Sequence, residues 1–243
     1  MIKHEMRDRV GLIVIDRHER RNALDVDHLD ALHDAVGECL DSGARALVVT
    51  GDGTSFCAGA DLGRVYGDGF RVALYRALGR IRHAPVPVIA AVNGPAIGAG
   101  TQLAIACDLR VGADSAKFAV PTSRNGLAVD PWTIRRLALL SGGGPARAML
   151  LGCSTLSVED AHRLGLVDQR GDLDDALNWA ADITTMAPLS LAYSKRALDV
   201  LFEDDEEPGG ELNTDFDTCW ASDDFAEANR AREAGRPPVF QGR

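Results

Sequence analysis

Two Gly/Ala-rich segments constrain this chain more than anything else in it: Phe56-Cys57-Ala58-Gly59-Ala60-Asp61 and Asn93-Gly94-Pro95-Ala96-Ile97-Gly98-Ala99-Gly100-Thr101-Gln102. Each follows a strand-like apolar run, residues 46–50 and 86–92, that reads as buried. Their tips carry almost no side chain. They therefore offer backbone N–H groups, the donors that a developing oxyanion needs. Gln102 ends the second segment and Thr122 follows further on, at places where water-activating chemistry would want carboxylates.

The hydropathy pattern places these segments in an α/β chain. A β-branched strand is expected over 10–15 and an amphipathic helix over 26–40, with Leu29, Leu32, Val36 and Leu40 in register. Gly51-Asp52-Gly53 breaks the strand 46–50. A helix over 70–81 should carry Val72, Tyr75 and Leu78 on one face, and a buried helix over 98–107 should follow the strand 86–92. Short strands are expected at 108–111 and 117–120. After Pro131 the period turns helical, over 132–140, 146–151, 158–164, 173–186, 188–202, 211–220 and 223–233, before an extended Pro-rich tail at 236–240. Strands thus alternate with helices in the first half, and helices dominate the second.

Composition removes several classes of function. With 243 residues and 46% hydrophobic content, a core of one ordinary domain is available, so the chain has no need of disorder. A net charge of −10 argues against nucleic acid, which demands a basic face. Lys3, Lys117 and Lys195 are the only lysines, so an anion site must use arginine or backbone amides. The acidic run Glu203–Glu207 reads as a solvated loop. Five cysteines without a C-x-x-C pair fit a reducing cytoplasm and no metal. The charged start, Met1 to Arg9, lacks the apolar stretch of a leader, and prolines interrupt the uncharged stretch 84–107, so no membrane span is expected. There is no H-E-x-x-H and no G-x-S-x-G. Gly98-x-Gly100-x-x-Leu103 lacks the third glycine of a dinucleotide fingerprint.

Four stretches, in order, resemble the crotonase superfamily, the enoyl-CoA hydratase/isomerase family. Arg17–Leu24 resembles its R-P-x-x-R-N-A-L entry motif. Gly51–Leu62 resembles G-x-G-x-x-F-x-A-G-x-D-L, and Pro87–Asp108 resembles the P-V-I-A-A-V-N-G stretch with its run to C-D. Ser222–Gly242 is similar to the C-terminal pattern ending R-x-P-x-F-x-G. The resemblance implies a crotonase (ClpP-like) spiral of ββα units over 1–187. It further implies C-terminal helices over 188–243 that build a homotrimer or a dimer of trimers, and a CoA thioester as ligand with no other cofactor. Carried over residue by residue, the amides of Ala60 and Ala99 would form the oxyanion hole. Arg20, Arg21 and Ala23, with Ala58, Asp61 and Leu62, would line the CoA moiety. Gly98, Gln102 and Thr122 would surround the acyl group. Apart from the resemblance, Trp132 reads first as a core-packing residue and would line the acyl channel if it faces the cleft.

The departures carry as much weight. The two glutamates that hold and deprotonate water in the family's hydratases fall at Gln102 and Thr122, and neither replacement is a useful base. A positioned acid/base contributes roughly 10²–10⁴-fold, so losing both should nearly abolish hydration. Asp130, which precedes Pro131 at a helix start, matches a proton-transfer aspartate of the family's dienoyl-CoA isomerases; capping is its simpler role. Three readings follow. The first is an acyl-CoA-binding member without hydratase turnover. The second is an enoyl-CoA isomerase, or weak hydratase, that uses Asp130. The third is a decarboxylase that needs only the oxyanion hole.

Overall fold

The computed structural model describes residues 1–61, 68–122, 128–202 and 222–243. Leu62 and the residues that follow it to 67, the acidic run 203–207 and the expected helix 211–220 lie outside the described residues.

Six strands form the main sheet in the spatial order β1 (Ile2–Arg7), β2 (Val10–Ile15), β3 (Ala46–Gly51), β4 (Val88–Val92), β6 (Leu109–Gly112) and β9 (Gln169–Arg170). Only the β1–β2 pair is antiparallel; every other pairing is parallel. A second, three-stranded sheet joins β5 (Pro95–Ile97), β7 (Lys117–Ala119) and β8 (Leu156–Ser157). The helices are α1 (Val26–Asp41), α2 (Asp68–Arg82), α3 (Ala99–Ala106), α4 (Pro131–Ser141), α5 (Gly143–Leu151), α6 (Val158–Leu164), α7 (Leu173–Ile183), α8 (Pro188–Asp199) and α9 (Asp223–Glu233).

Burial of both faces explains why β3 and β4 read as continuous apolar runs. Leu47 and Val49 of β3, with Val88, Ala90 and Val92 of β4, join one core with α1, α2 and α3. Their neighbours Ala46, Val48, Ile89 and Ala91 point the other way, against Ala176, Ala180 and Ile183 of α7. Successive strand residues face opposite sides, so a central parallel strand has no polar position to spare. The alanines of α7 recur at i and i+4 and let that helix approach the sheet closely.

Some expectations need correction. The charged stretch 2–7 is an edge strand: Ile2 and Met6 pack on the core while its other positions face outward. One buried face suffices at an edge, which is why the charge pattern concealed it. On α2 the buried stripe is Ala73, Leu74, Ala77, Leu78 and Ile81, with Val72 on the exposed side. Helix α7 ends at Ile183 instead of 186, because the Thr184 and Thr185 hydroxyls donate to the carbonyls of Ala181 and Asp182 and tighten the chain into turns.

Helix α8 is tied into the body of the molecule. Lys195 Nζ donates to the carbonyls of Ile81 and Val86, each at 3.0 Å, and pairs with Asp108 at 2.8 Å. Asp199 pairs with Arg136 at 2.7 Å. Packing is thus continuous across residue 188. The tail folds back on α9, where the Asp224 carboxylate accepts the amides of Gln241 and Gly242. Among the described residues no helix is long and apolar enough to cross a membrane.

Candidate functional site

Residues 21–24, 57–61 and 95–99 converge through backbone hydrogen bonds. Cys57 pairs with the 95–97 strand: its amide donates to Pro95 and its carbonyl accepts from Ile97. Gly59 then adopts φ +97°, a left-handed conformation open to glycine, which reverses the direction in which the next groups point. The Gly59 carbonyl accepts from Leu24 at 2.8 Å, and the Asp61 amide donates to Leu24 at 2.8 Å. In an extended chain the amide between such a pair faces the opposite side. Ala60 N–H is therefore directed away from Leu24.

The second donor begins α3. Gly98 (φ +55°, ψ −115°) supplies the N-cap without a side chain, and Ala99 is the first helical residue, whose N–H has no intrahelical acceptor. Gly59 adjoins this position: a Cβ there would lie 2.6 Å from the Ile97 carbonyl oxygen and 3.5 Å from the Ala99 nitrogen. Gly100 packs on the same strand, since a Cβ on it would come within 2.1 Å of the Cys57 oxygen. Among the described residues, neither Ala60 nor Ala99 donates its amide to a protein acceptor. The far end of α3 is met by guanidinium groups. Arg136 donates to Ile105 and Cys107, and Arg110 donates to Cys107 at 2.9 Å. Cations at that end complement the helix dipole whose positive end faces the candidate site.

Three residues into α3, the Gln102 amide donates to Thr133 Oγ1 at 2.9 Å and to Asp130 Oδ2 at 3.3 Å. Asp130 is the N-cap of α4: its carboxylate accepts the Thr133 amide at 3.1 Å and the Thr133 hydroxyl at 2.5 Å. The Tyr75 hydroxyl, from α2, lies beside Asp130 and Gln102. Burial first, and the Asp130 carboxylate second, push the Tyr75 phenol above its ordinary pKa. Sequence reading placed Tyr75 on a helix face without a chemical role. Its partners are 27 and 55 positions away, and only folding joins them.

The other expected residues are distributed as follows. Arg20 and Arg21 are exposed on the turn before α1, where the Arg21 carbonyl accepts the Ala58 amide at 3.0 Å. Ala23 and Ala58 are half-buried beside them, and Thr122 is half-buried just beyond β7. The Asp61 carboxylate is engaged by Arg17 Nη2 at 2.9 Å. Trp132 packs as its simpler reading has it: its ring is 9% exposed and lies against the guanidinium groups of Arg82 (4.4 Å) and Arg136 (5.6 Å). Cys57, next to the site, is inert: burial lifts its thiol to about 12.

Fold and convergence of these segments define a crotonase-type α/β protein. Residues 5–243 match the family model for enoyl-CoA hydratase/isomerase. A probable enoyl-CoA hydratase, echA6, of Mycobacterium tuberculosis is 46% identical, with 100% of each chain covered. A short-chain-enoyl-CoA hydratase of Clostridium acetobutylicum is 29% identical over 93% of this chain and 92% of its own. Among solved structures, an enoyl-CoA hydratase/isomerase family protein from Hyphomonas neptunium superposes with a TM-score of 0.90 at 31% identity, covering 100% of this chain and 98% of that one. The chain belongs to the enoyl-CoA hydratase/isomerase family.

Proposed function

We propose that this family member binds a fatty acyl-CoA, holding the thioester oxygen between the amides of Ala60 and Ala99, and does not hydrate it. The observation that carries the reading is the contrast between two neighbouring features. The two amides have no protein acceptor among the described residues. The polar groups one helical turn along α3 are already engaged with one another: Gln102, Asp130 and Thr133 form one hydrogen-bonded set, with Tyr75 beside it. Such a set can contact a ligand, but it holds no pair of carboxylates to orient and deprotonate water. Arg20 and Arg21, exposed beside Ala58, would meet the CoA phosphates.

Titration calorimetry with a long-chain acyl-CoA, together with a hydration assay on crotonyl-CoA, tests this. Tight binding with negligible hydration is expected; turnover near that of ordinary hydratases would reject it. The isomerase alternative rests on Asp130, the half-buried carboxylate of the set. Its carboxylate is already engaged by the Gln102 side-chain amide, the Thr133 hydroxyl and the Thr133 backbone amide. If Asp130→Asn abolishes a measurable double-bond shift in a 3-enoyl-CoA, the alternative replaces the first reading.

A further inference from the structure

We infer that Arg17 is a positioning residue for the oxyanion amide of Ala60, acting through Asp61; this rests on the thioester-binding reading above. Arg17 is 9% exposed, so its charge must be held by protein. Its guanidinium donates from Nη2 to Asp61 Oδ2 and from Nη1 to the Ala23 carbonyl, both at 2.9 Å. Nη1 also lies 3.3 Å from Asp25 Oδ2, the cap of α1.

These contacts fall on both sides of a very short ladder. Ala23 precedes Leu24, whose amide and carbonyl engage Gly59 and Asp61; Asp61 follows Ala60. One planar fork therefore staples the 23–24 backbone to residue 61, across the two hydrogen bonds that set the direction of Ala60 N–H. Three of the four amides over 58–61 are bound inward: Ala58 to Arg21, Gly59 to Cys57 Sγ at 3.4 Å, and Asp61 to Leu24. Ala60 is the exception, and a free amide beside a twisted glycine holds its direction only if its neighbours do. Arg17 thus acts on the ligand oxygen from two residues away without touching it.

The test uses the full chain with Arg17→Lys, which keeps the charge and loses the fork, and with Asp61→Asn, which keeps the shape and loses the ion pair. Affinity is measured for a long-chain acyl-CoA thioester and for the matching S-alkyl-CoA thioether, which lacks the carbonyl. The bound thioester C=O stretch is recorded by isotope-edited infrared spectroscopy. Both variants are expected to weaken thioester binding about tenfold, the loss of one well-aimed hydrogen bond. The thioether should be unaffected, and the C=O band should move back toward its position in water. Equal loss for both ligands, or an unmoved band, overturns the inference and leaves Arg17 a stability residue. If the unmodified protein itself shows no preference for the thioester, the binding reading falls, and the inference with it. Should Arg17→Lys fail to fold, Asp61→Asn carries the same comparison.

Discussion

Replacing Gly100 by alanine tests whether close backbone packing aims α3 at the ligand. The added Cβ would lie 2.1 Å from the Cys57 carbonyl oxygen, and both partners are backbone, so no side chain can swing aside. Contacts under 3.0 Å are essentially never seen, so α3 must retreat by about 1 Å. A bond of ordinary length, about 2.9 Å, stretched by that much is no longer a hydrogen bond. The Ala99 amide would then lose its hold on the thioester oxygen, at a cost of roughly 1–1.5 kcal/mol, or about tenfold in Kd. Overpacking adds about 1–3 kcal/mol of lost stability. For a chain of this size that corresponds to roughly 3–10 °C in Tm. Calorimetric unfolding and acyl-CoA titration on one preparation measure both effects. Gly79→Ala is the control: inside α2 its Cβ would meet only His83 Nδ1, at 4.0 Å, and it should gain about 0.5–1 kcal/mol. A Gly100→Ala protein that matches wild type in both Tm and affinity would refute the argument.

Asn22→Ala removes a fully buried side chain that accepts from the Arg17 amide and donates to the carbonyls of Asp52 and Ser55. It also puts alanine at φ +58°; a loss of about 3–5 kcal/mol is expected in urea unfolding. Lys195→Met strands the half-buried Asp108 carboxylate, whose pKa burial raises while Lys195 opposes that rise. A loss of about 3–5 kcal/mol is expected. The deficit should shrink as pH falls, because a protonated Asp108 no longer needs the ammonium, and pairing the change with Asp108→Asn should recover part of it. On the tail, Arg236 and the Val239 amide hold Glu227 at about 2, against an ordinary 4.5. A lowered folded value means that the clasp is fully stabilising above the unfolded value and is lost as pH falls through the folded one. Protection of the Val239 amide, its exchange rate relative to the intrinsic rate at each pH, should fall between about pH 4.5 and pH 2, and Glu227→Gln should remove that dependence.

Legibility in the sequence followed the range over which each cause acts. Strands β3 and β4 and the stripe of α1 were readable because burial imposes its period on neighbouring residues. The edge strand β1 was not, since half of its surface belongs to solvent. The Asp130 cap announced itself by the Pro131 that follows, a contact within three residues. The Gly/Ala tips announced amides in the same way: a chain without side chains can offer little else. Their direction, however, depends on which strand Gly59 and Asp61 bind, and that strand lies some 35 residues earlier. The same holds for Tyr75 beside Asp130, for Arg17 on Asp61 and for Trp132 between Arg82 and Arg136. By itself the sequence determined the α/β order, Gln102 and Thr122 at the places where the family resemblance implies carboxylates, and two side-chain-poor turns. Tertiary structure alone decided which polar groups are already partnered and that, among the described residues, the amides of Ala60 and Ala99 have no protein acceptor, because hydrogen bonds between distant segments form only once the buried sheet has brought those segments together.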